Sequence, residues 1–420
     1  MTFPKLQVVE DLVDRLDRRS PLPLRGVRIV CVQHLLETTG SLLEAFVRLG
    51  CSPKNIHILG KLYSTSSVVE RRMVDAGFDV LKWEGEILPG RYQNTIRDNI
   101  QRLWCRAETA TRKRDRLLLV LDDGGRCRQY CPDWLDRGKL MAVEQTTSGL
   151  KPRRTGRWIP TVEVAGSAAK KTLEPPAVTE SILRFVIPQI RKRLGQVPIG
   201  VAGLGTVGGD VARRLSAAGY EVLAYDKDSN LQRTVPAAKW CRSISSLMER
   251  SAAILGCTGE DFLRNADWLR DLRGPRILAS CSSEDVEFRS LLRRSTPVDR
   301  SSGPLVDRVV NLPTGELRIL RGGFPANFTG TKNSGPVSLI QVTRGLLLAG
   351  LVQAAELRSL HKFPHARKIM LDPALQAIVA RSFLTPRRKL LVGGEAARAL
   401  DEDWLDAHSS GIHLMPMTKG

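Results

Sequence analysis

The apolar run Ile199-Gly200-Val201-Ala202, followed at once by Gly203-Leu204-Gly205-Thr206-Val207-Gly208, constrains this chain more than any other segment. The run reads as a strand, and Val207, Val211 and Leu215 recur at helical spacing, so the glycines join a strand to a helix. Gly203 permits the tight turn, Gly205 lets a pyrophosphate approach the backbone, and Gly208 allows the helix to pack closely on the strand. Thr206 and Val207 open a helix whose free N–H groups and positive dipole end attract phosphate. A second strand, Glu221 to Tyr225, ends at Asp226, twenty-three residues after Gly203. A carboxylate there accepts hydrogen bonds from both ribose hydroxyls and repels a 2′-phosphate. The segment therefore predicts a Rossmann unit that binds NAD rather than NADP, although Lys227 beside Asp226 softens the charge argument.

The rest of the chain alternates in the same way. Strands are expected at Val27 to Val32, Asn55 to Leu59, Asp79 to Trp83 and Arg116 to Leu121, with helices at Gly40 to Leu49, Val68 to Ala76 and Arg91 to Arg106. Such alternation predicts a parallel sheet covered by helices, with functional residues at the carboxyl ends of the strands. His34 and Asp123 stand just past two such ends. Val178 to Leu194 reads as a helix kinked or interrupted at Pro188, acting as a hinge. The fold class is α/β, with two Rossmann-like doubly wound domains. A substrate domain (1–178) is followed by the NAD-binding domain (195–330), a helical return to the first domain (331–395) and a tail (396–420).

Composition narrows the function classes. The 420 residues suffice for two or three substantial cores. No signal-peptide pattern opens the chain, and its most apolar stretch, Gly345 to Val352, is too short to span a membrane and lies in an amphipathic pattern. A cytoplasmic protein is the expectation. The eight cysteines lack CxxC spacing, and no histidine is near Cys127 and Cys131, so free thiols are expected and no metal site. The net charge of +20 comes mostly from arginine in short clusters at 112–114, 153–154, 191–193 and 387–389. No aromatic platform or finger accompanies it, so nucleic acid is not an expected partner.

The ordered motifs Val32-Gln33-His34, Ser64-Thr65, Leu121-Asp122-Asp123-Gly124-Gly125, Glu144-Gln145-Thr146-Thr147-Ser148-Gly149, Pro160 with Lys170, the Gly203 loop, Gly256-Cys257-Thr258-Gly259 and Asp285-Val286-Glu287 resemble the adenosylhomocysteinase family. The likeness runs from about Arg25 to Leu360 and is divergent. It implies a bound NAD that oxidises the 3′-hydroxyl of a nucleoside. The temporary ketone acidifies the C4′ proton, homocysteine is eliminated, water adds, and the ketone is reduced again. By position, Lys170 matches the lysine acting on the 3′-hydroxyl, with Glu174 where the family has an aspartate. His34 and Asp123 match residues on the C4′/C5′ side. Thr146, Thr147 and Ser148, with Thr258 and Gly259, match the family's cofactor contacts.

The departures matter as much. Gln145 replaces the ribose-binding glutamate, Pro175 an asparagine, and Leu36 and Thr38 polar residues beside the base pocket. Ser283 and Phe324 stand where the family has histidines; no histidine occurs between His57 and His361. The family's tetramer uses a C-terminal lysine and tyrosine, but no tyrosine follows Tyr225, leaving a homodimer or other homo-oligomer as the expectation. Each retained residue also has an ordinary reading: a strand-end histidine, turn aspartates, a surface lysine. Three functions stay open: a hydrolase acting on S-adenosylhomocysteine or a related nucleoside, an NAD-dependent nucleoside or sugar oxidoreductase or epimerase, and an NAD-binding pseudoenzyme with a regulatory role.

Overall fold

The computed structural model describes residues 3–111, 117–135, 140–151, 159–298, 305–359 and 367–384. The basic clusters at 112–114, 153–154 and 387–389 and the tail at 396–420 lie outside the described residues.

After α1 (Gln7–Leu16) the chain alternates through β1 (Arg28–Gln33), α2 (Glu37–Arg48), β2 (Ile56–Gly60), α3 (Ser67–Asp75), β3 (Asp79–Leu81) and α4 (Tyr92–Thr111). It continues through β4 (Leu118–Asp122), α5 (Arg126–Gln129), β5 (Leu140–Glu144), α6 (Thr147–Leu150), β6 (Thr161–Glu163) and α7 (Ala168–Leu173). These strands pair in the order β6-β5-β4-β1-β2-β3, all parallel. β1, β2, β4 and β5 are buried at every residue, as strands covered on both faces must be.

α8 (Pro175–Leu194) leads to the second domain. It starts earlier than the sequence predicts and runs unbroken through Pro188, so the expected interruption is corrected. Pro188 lies on the exposed side, where the Arg184 carbonyl it cannot serve faces water.

The second domain contains β7 (Ile199–Ala202), α9 (Thr206–Ala217), β8 (Val222–Tyr225), β9 (Lys239–Trp240), α10 (Ile244–Arg250), β10 (Ala253–Gly256) and β11 (Gly274–Ser280). It ends with α11 (Arg289–Leu292), β12 (Thr296–Pro297), β13 (Arg308–Leu312) and β14 (Gly315–Ile319). Its sheet order is β12-β13-β14-β11-β10-β7-β8-β9, with β12 and β13 antiparallel at one edge. Numbered within each domain, the parallel strands follow 3-2-1-4-5-6 in both sheets. That order reverses between β1 and β4 and between β7 and β10, and ligands of doubly wound sheets bind at such reversals.

The chain then returns to the first domain. α12 (Val337–Ser359) packs on α1, α2, β5 and β6, β15 (Lys368–Met370) adds a seventh parallel strand beside β6, and α13 (Pro373–Phe383) packs on α1 and α12. α12 is long and apolar enough to cross a bilayer by composition, but 78% of its most apolar window is buried inside the protein. The sequence suggests an amphipathic pattern here; the structure corrects it, because the helix is enclosed on nearly every side and needs no polar face.

Candidate functional site

A cavity of about 770 Å³ opens at the two sheet reversals, walled by both domains. From the first domain it receives His34 after β1, Asp123 after β4, Gln145 after β5, and Lys170 and Glu174 at the end of α7. Thr146, Thr147 and Ser148 line it from the start of α6, and Gly205, Thr206, Val207, Thr258 and Gly259 from the second domain. Three predicted residues do not line it. Gly203, Gly208 and Asp226 shape the loop from behind.

That loop is built as its glycines require. Gly203 has φ +91°, and a Cβ there would fall 2.7 Å from the Cys257 carbonyl carbon. A Cβ on Gly208 would fall 1.9 Å from the Gly203 oxygen, whereas one on Gly205 would meet nothing within 4 Å. The loop is therefore tight on its inner side and open at Gly205. Asp226 accepts from the Leu204 amide at 2.6 Å, tying the end of β8 to the turn. Opposite, Glu287 accepts from the Gly259 amide at 2.7 Å and the Thr258 hydroxyl at 2.8 Å, fixing the strand-end loop after β10.

Glu144 performs the equivalent task in the first domain. One of its carboxylate oxygens accepts from the Thr146 amide and hydroxyl, each at 2.8 Å, and from the Gly124 amide at 3.0 Å. The other accepts from Arg128 at 2.5 Å. The Thr146–Ser148 turn and the Asp123–Gly124 turn are thus held by one buried acid. Gln145 beside it has a buried Oε1 without a hydrogen-bond partner.

The polar centre is a chain of buried groups. Lys61 Nζ donates to Asp123 Oδ1 at 2.5 Å, and both side chains are 0% exposed. His34 Nε2 lies 3.1 Å from Asp123 Oδ2, its Nδ1 lies 2.5 Å from Ser64 Oγ, and its ring stacks on Phe328 at 4.3 Å. Burial pushes the Asp123 carboxyl up, but the Lys61 ammonium and then His34 outweigh it and hold it far below the usual carboxylate range. Burial lowers the His34 pKa, and although Asp123 opposes this, Lys61 and Arg344 add to it. The arrangement keeps an anionic aspartate beside a neutral imidazole. In carbon-detected NMR titration the His34 ring should change state at a pH below its ordinary value of 6.5. Between those two pH values the unfolded chain binds more protons, so stability should fall as pH drops through that window. A midpoint at or above 6.5 would refute this electrostatic reading.

On the cavity wall formed by α7, Lys170 pairs with Glu174 one turn later, and Glu174 accepts from the Thr343 hydroxyl of α12 at 2.7 Å. Between the domains Arg126 Nε donates to Glu284 Oε1 at 2.8 Å, and the Tyr92 amide donates to Asp285, whose carboxyl burial raises to about 6. Sequence reading misses Lys61, Arg126, Glu284 and Arg344. Their roles depend on partners dozens to hundreds of residues away, and Arg344 is embedded in an apolar helix.

No family model matches the chain. Two proteins of Mycobacterium tuberculosis, one from each of two strains and both described only as uncharacterized, are 28% identical over 363 residues, covering 84% of this chain and 68% of theirs. Among solved structures, a Granulicella formate dehydrogenase superimposes with a TM-score of 0.38 at 13% identity, covering 81% of this chain and 96% of its own. An NAD-dependent formate dehydrogenase from Staphylococcus aureus, solved with NAD, gives 0.35 at 12%, covering 81% and 98%.

Proposed function

We propose that this protein binds NAD in the cleft between its domains and oxidises a hydroxyl group of a nucleoside-like small molecule, in the manner of the adenosylhomocysteinase family it resembles. One observation carries the reading. Lys170 with Glu174, and His34 with Asp123, line the same cavity as the open glycine turn at Gly205.

The chain's residues suit the cofactor. The free backbone at Gly205 to Val207 and the start of α9 accommodate a pyrophosphate, Asp226 holds that turn from behind through the Leu204 amide, and Thr146 to Ser148 close the first-domain side. When bound, NAD supplies a hydride acceptor. Lys170 holds the oxygen of the reacting hydroxyl, and Glu174, fixed by Thr343, receives its proton through the Lys170 amine. Gln145 Oε1 accepts from a neighbouring hydroxyl. His34, kept neutral on the cavity wall beside the ionised Asp123, accepts a proton at Nδ1 as the Ser64 hydroxyl gives way to the substrate.

A second reading keeps only oxidation and reduction, without elimination. Phe324 favours it. At a position where the resemblance places a histidine, this ring is 2% exposed and packs on Tyr63 at 5.0 Å, with no proton to offer.

Purified protein loaded with NAD and given S-adenosylhomocysteine or adenosine separates the readings. NADH with free homocysteine supports hydrolysis, and NADH alone supports the redox-only form. Retained NAD without reduction by any nucleoside, acid derivatives included, leaves an NAD-binding pseudoenzyme. Replacing Lys170 with alanine should lower the rate of NADH formation by about a hundredfold or more; an unchanged rate would overturn the site assignment.

A further inference from the structure

α12 carries a charge into the cavity that no described residue balances. Arg344 is 2% exposed, lines the cavity together with Ile340 one turn earlier, and donates through Nε to Thr38 Oγ1 at 3.3 Å. Its Nη1 is buried without a hydrogen-bond partner, and no carboxylate among the described residues lies within ion-pair distance of it. Burial lowers its pKa to about 10 against the pull of Asp123 and Glu174, which leaves the guanidinium charged at neutral pH. The neighbouring charges are already matched: Lys61 with Asp123, Lys170 with Glu174, Arg126 with Glu284. Lys171, the other cation on this wall, is exposed to water. A buried guanidinium with unused donors is costly in an empty protein and is compensated by an acceptor that arrives with a ligand.

We infer that the substrate carries a carboxylate, bound by Arg344 at the end of the cavity beside Thr38. A carboxylate accepts from the guanidinium edge that faces the cavity, and its one negative charge balances the buried positive charge that no described residue pairs. A phosphate dianion would leave the pocket with excess negative charge. This inference rests on the proposed oxidation of a hydroxyl in the same cavity and names the class of molecule that bears it: a hydroxy acid on a nucleoside or sugar frame.

Matched pairs test it on the full-length protein with NAD: adenosine against adenosine 5′-carboxylic acid, and methyl glucoside against methyl glucuronide, with adenosine 5′-monophosphate as the phosphate arm. Ligand-induced shifts in melting temperature and calorimetric affinity are read for the wild type, R344M and R344K. At least one acid should bind roughly 30-fold more tightly than its neutral twin, and R344M should erase that preference. R344K should retain part of it, so a poorly folded R344M does not remove the test. Equal binding of the twins, binding of neither, stronger binding of the phosphate, or a preference that survives R344M would each overturn the inference. NAD affinity, measured alone in the same samples, reports separately on the underlying reading. Its absence would sink the NAD proposal, whereas intact NAD binding without an acid preference would sink only this one.

Discussion

Replacing Lys61 by methionine should lower the free energy of unfolding by about 3–5 kcal/mol, the cost of leaving a buried charge without its partner. Lys61 and Asp123 are both completely enclosed, and burial alone would push the Asp123 carboxyl up; the Lys61 ammonium is the strongest of the groups that hold it down. Methionine fills the space of the alkyl chain, so the loss isolates the charge rather than the packing. The pH dependence carries a sign. A carboxyl with a depressed folded pKa contributes its full stability above the unfolded value of about 3.9 and loses it as pH falls through the folded one. In K61M the carboxyl is relieved by protonation, so the gap between wild type and variant should narrow as the pH is lowered. The double variant K61M/D123N, with no charge left to bury, should recover much of the loss. Urea denaturation across pH measures all three proteins. A loss below about 1 kcal/mol in K61M would show that the pair does not organise this centre.

The second large effect is on cofactor affinity. Gly208→Ala places a methyl group 1.9 Å from the Gly203 oxygen, inside the turn rather than on its open side. Neither partner is a flexible side chain, so the loop must move away from its phosphate-cradling shape. NAD affinity should fall at least about a hundredfold, or ~2.7 kcal/mol, in calorimetric titration. Gly219→Ala supplies the control. That glycine has φ +81° with nothing within 4 Å, so its replacement should cost about 1 kcal/mol of stability and leave NAD affinity unchanged. Full NAD affinity in G208A would remove the glycine turn from the cofactor site.

The fold was largely legible because its signals are local. Strand, glycine turn and helix follow one another at β7 and α9, and the apolar runs of β1, β2 and β4 end at residues that the sheet order then gathers. The Gly203 turn is legible for the same reason, since Gly208 meets its clash within the loop and Gly205 is left open. Burial on all sides was not legible. α12 looks amphipathic in sequence because Arg344 interrupts it, yet that arginine points into a cavity rather than to water. Pro188 suggests a break, but its exposed position leaves the freed carbonyl to solvent. The electrostatics of the site were the least visible part. Asp123 depends on Lys61, 62 residues away, and Arg126 on Glu284, 158 residues away, and no spacing rule connects such pairs.

The route of the chain also dictates an order of assembly. The second domain's sheet comes from one uninterrupted stretch, β7 to β14, so all its pairings are in hand once that stretch has been made. The first domain's core, by contrast, joins α1 near the beginning to α12 and α13 near the end. Until those helices leave the ribosome, the apolar faces of β5 and β6 that α12 covers have no lid. The older half of the nascent polypeptide therefore matures last, waiting on its most distant contacts while the younger half is already folded.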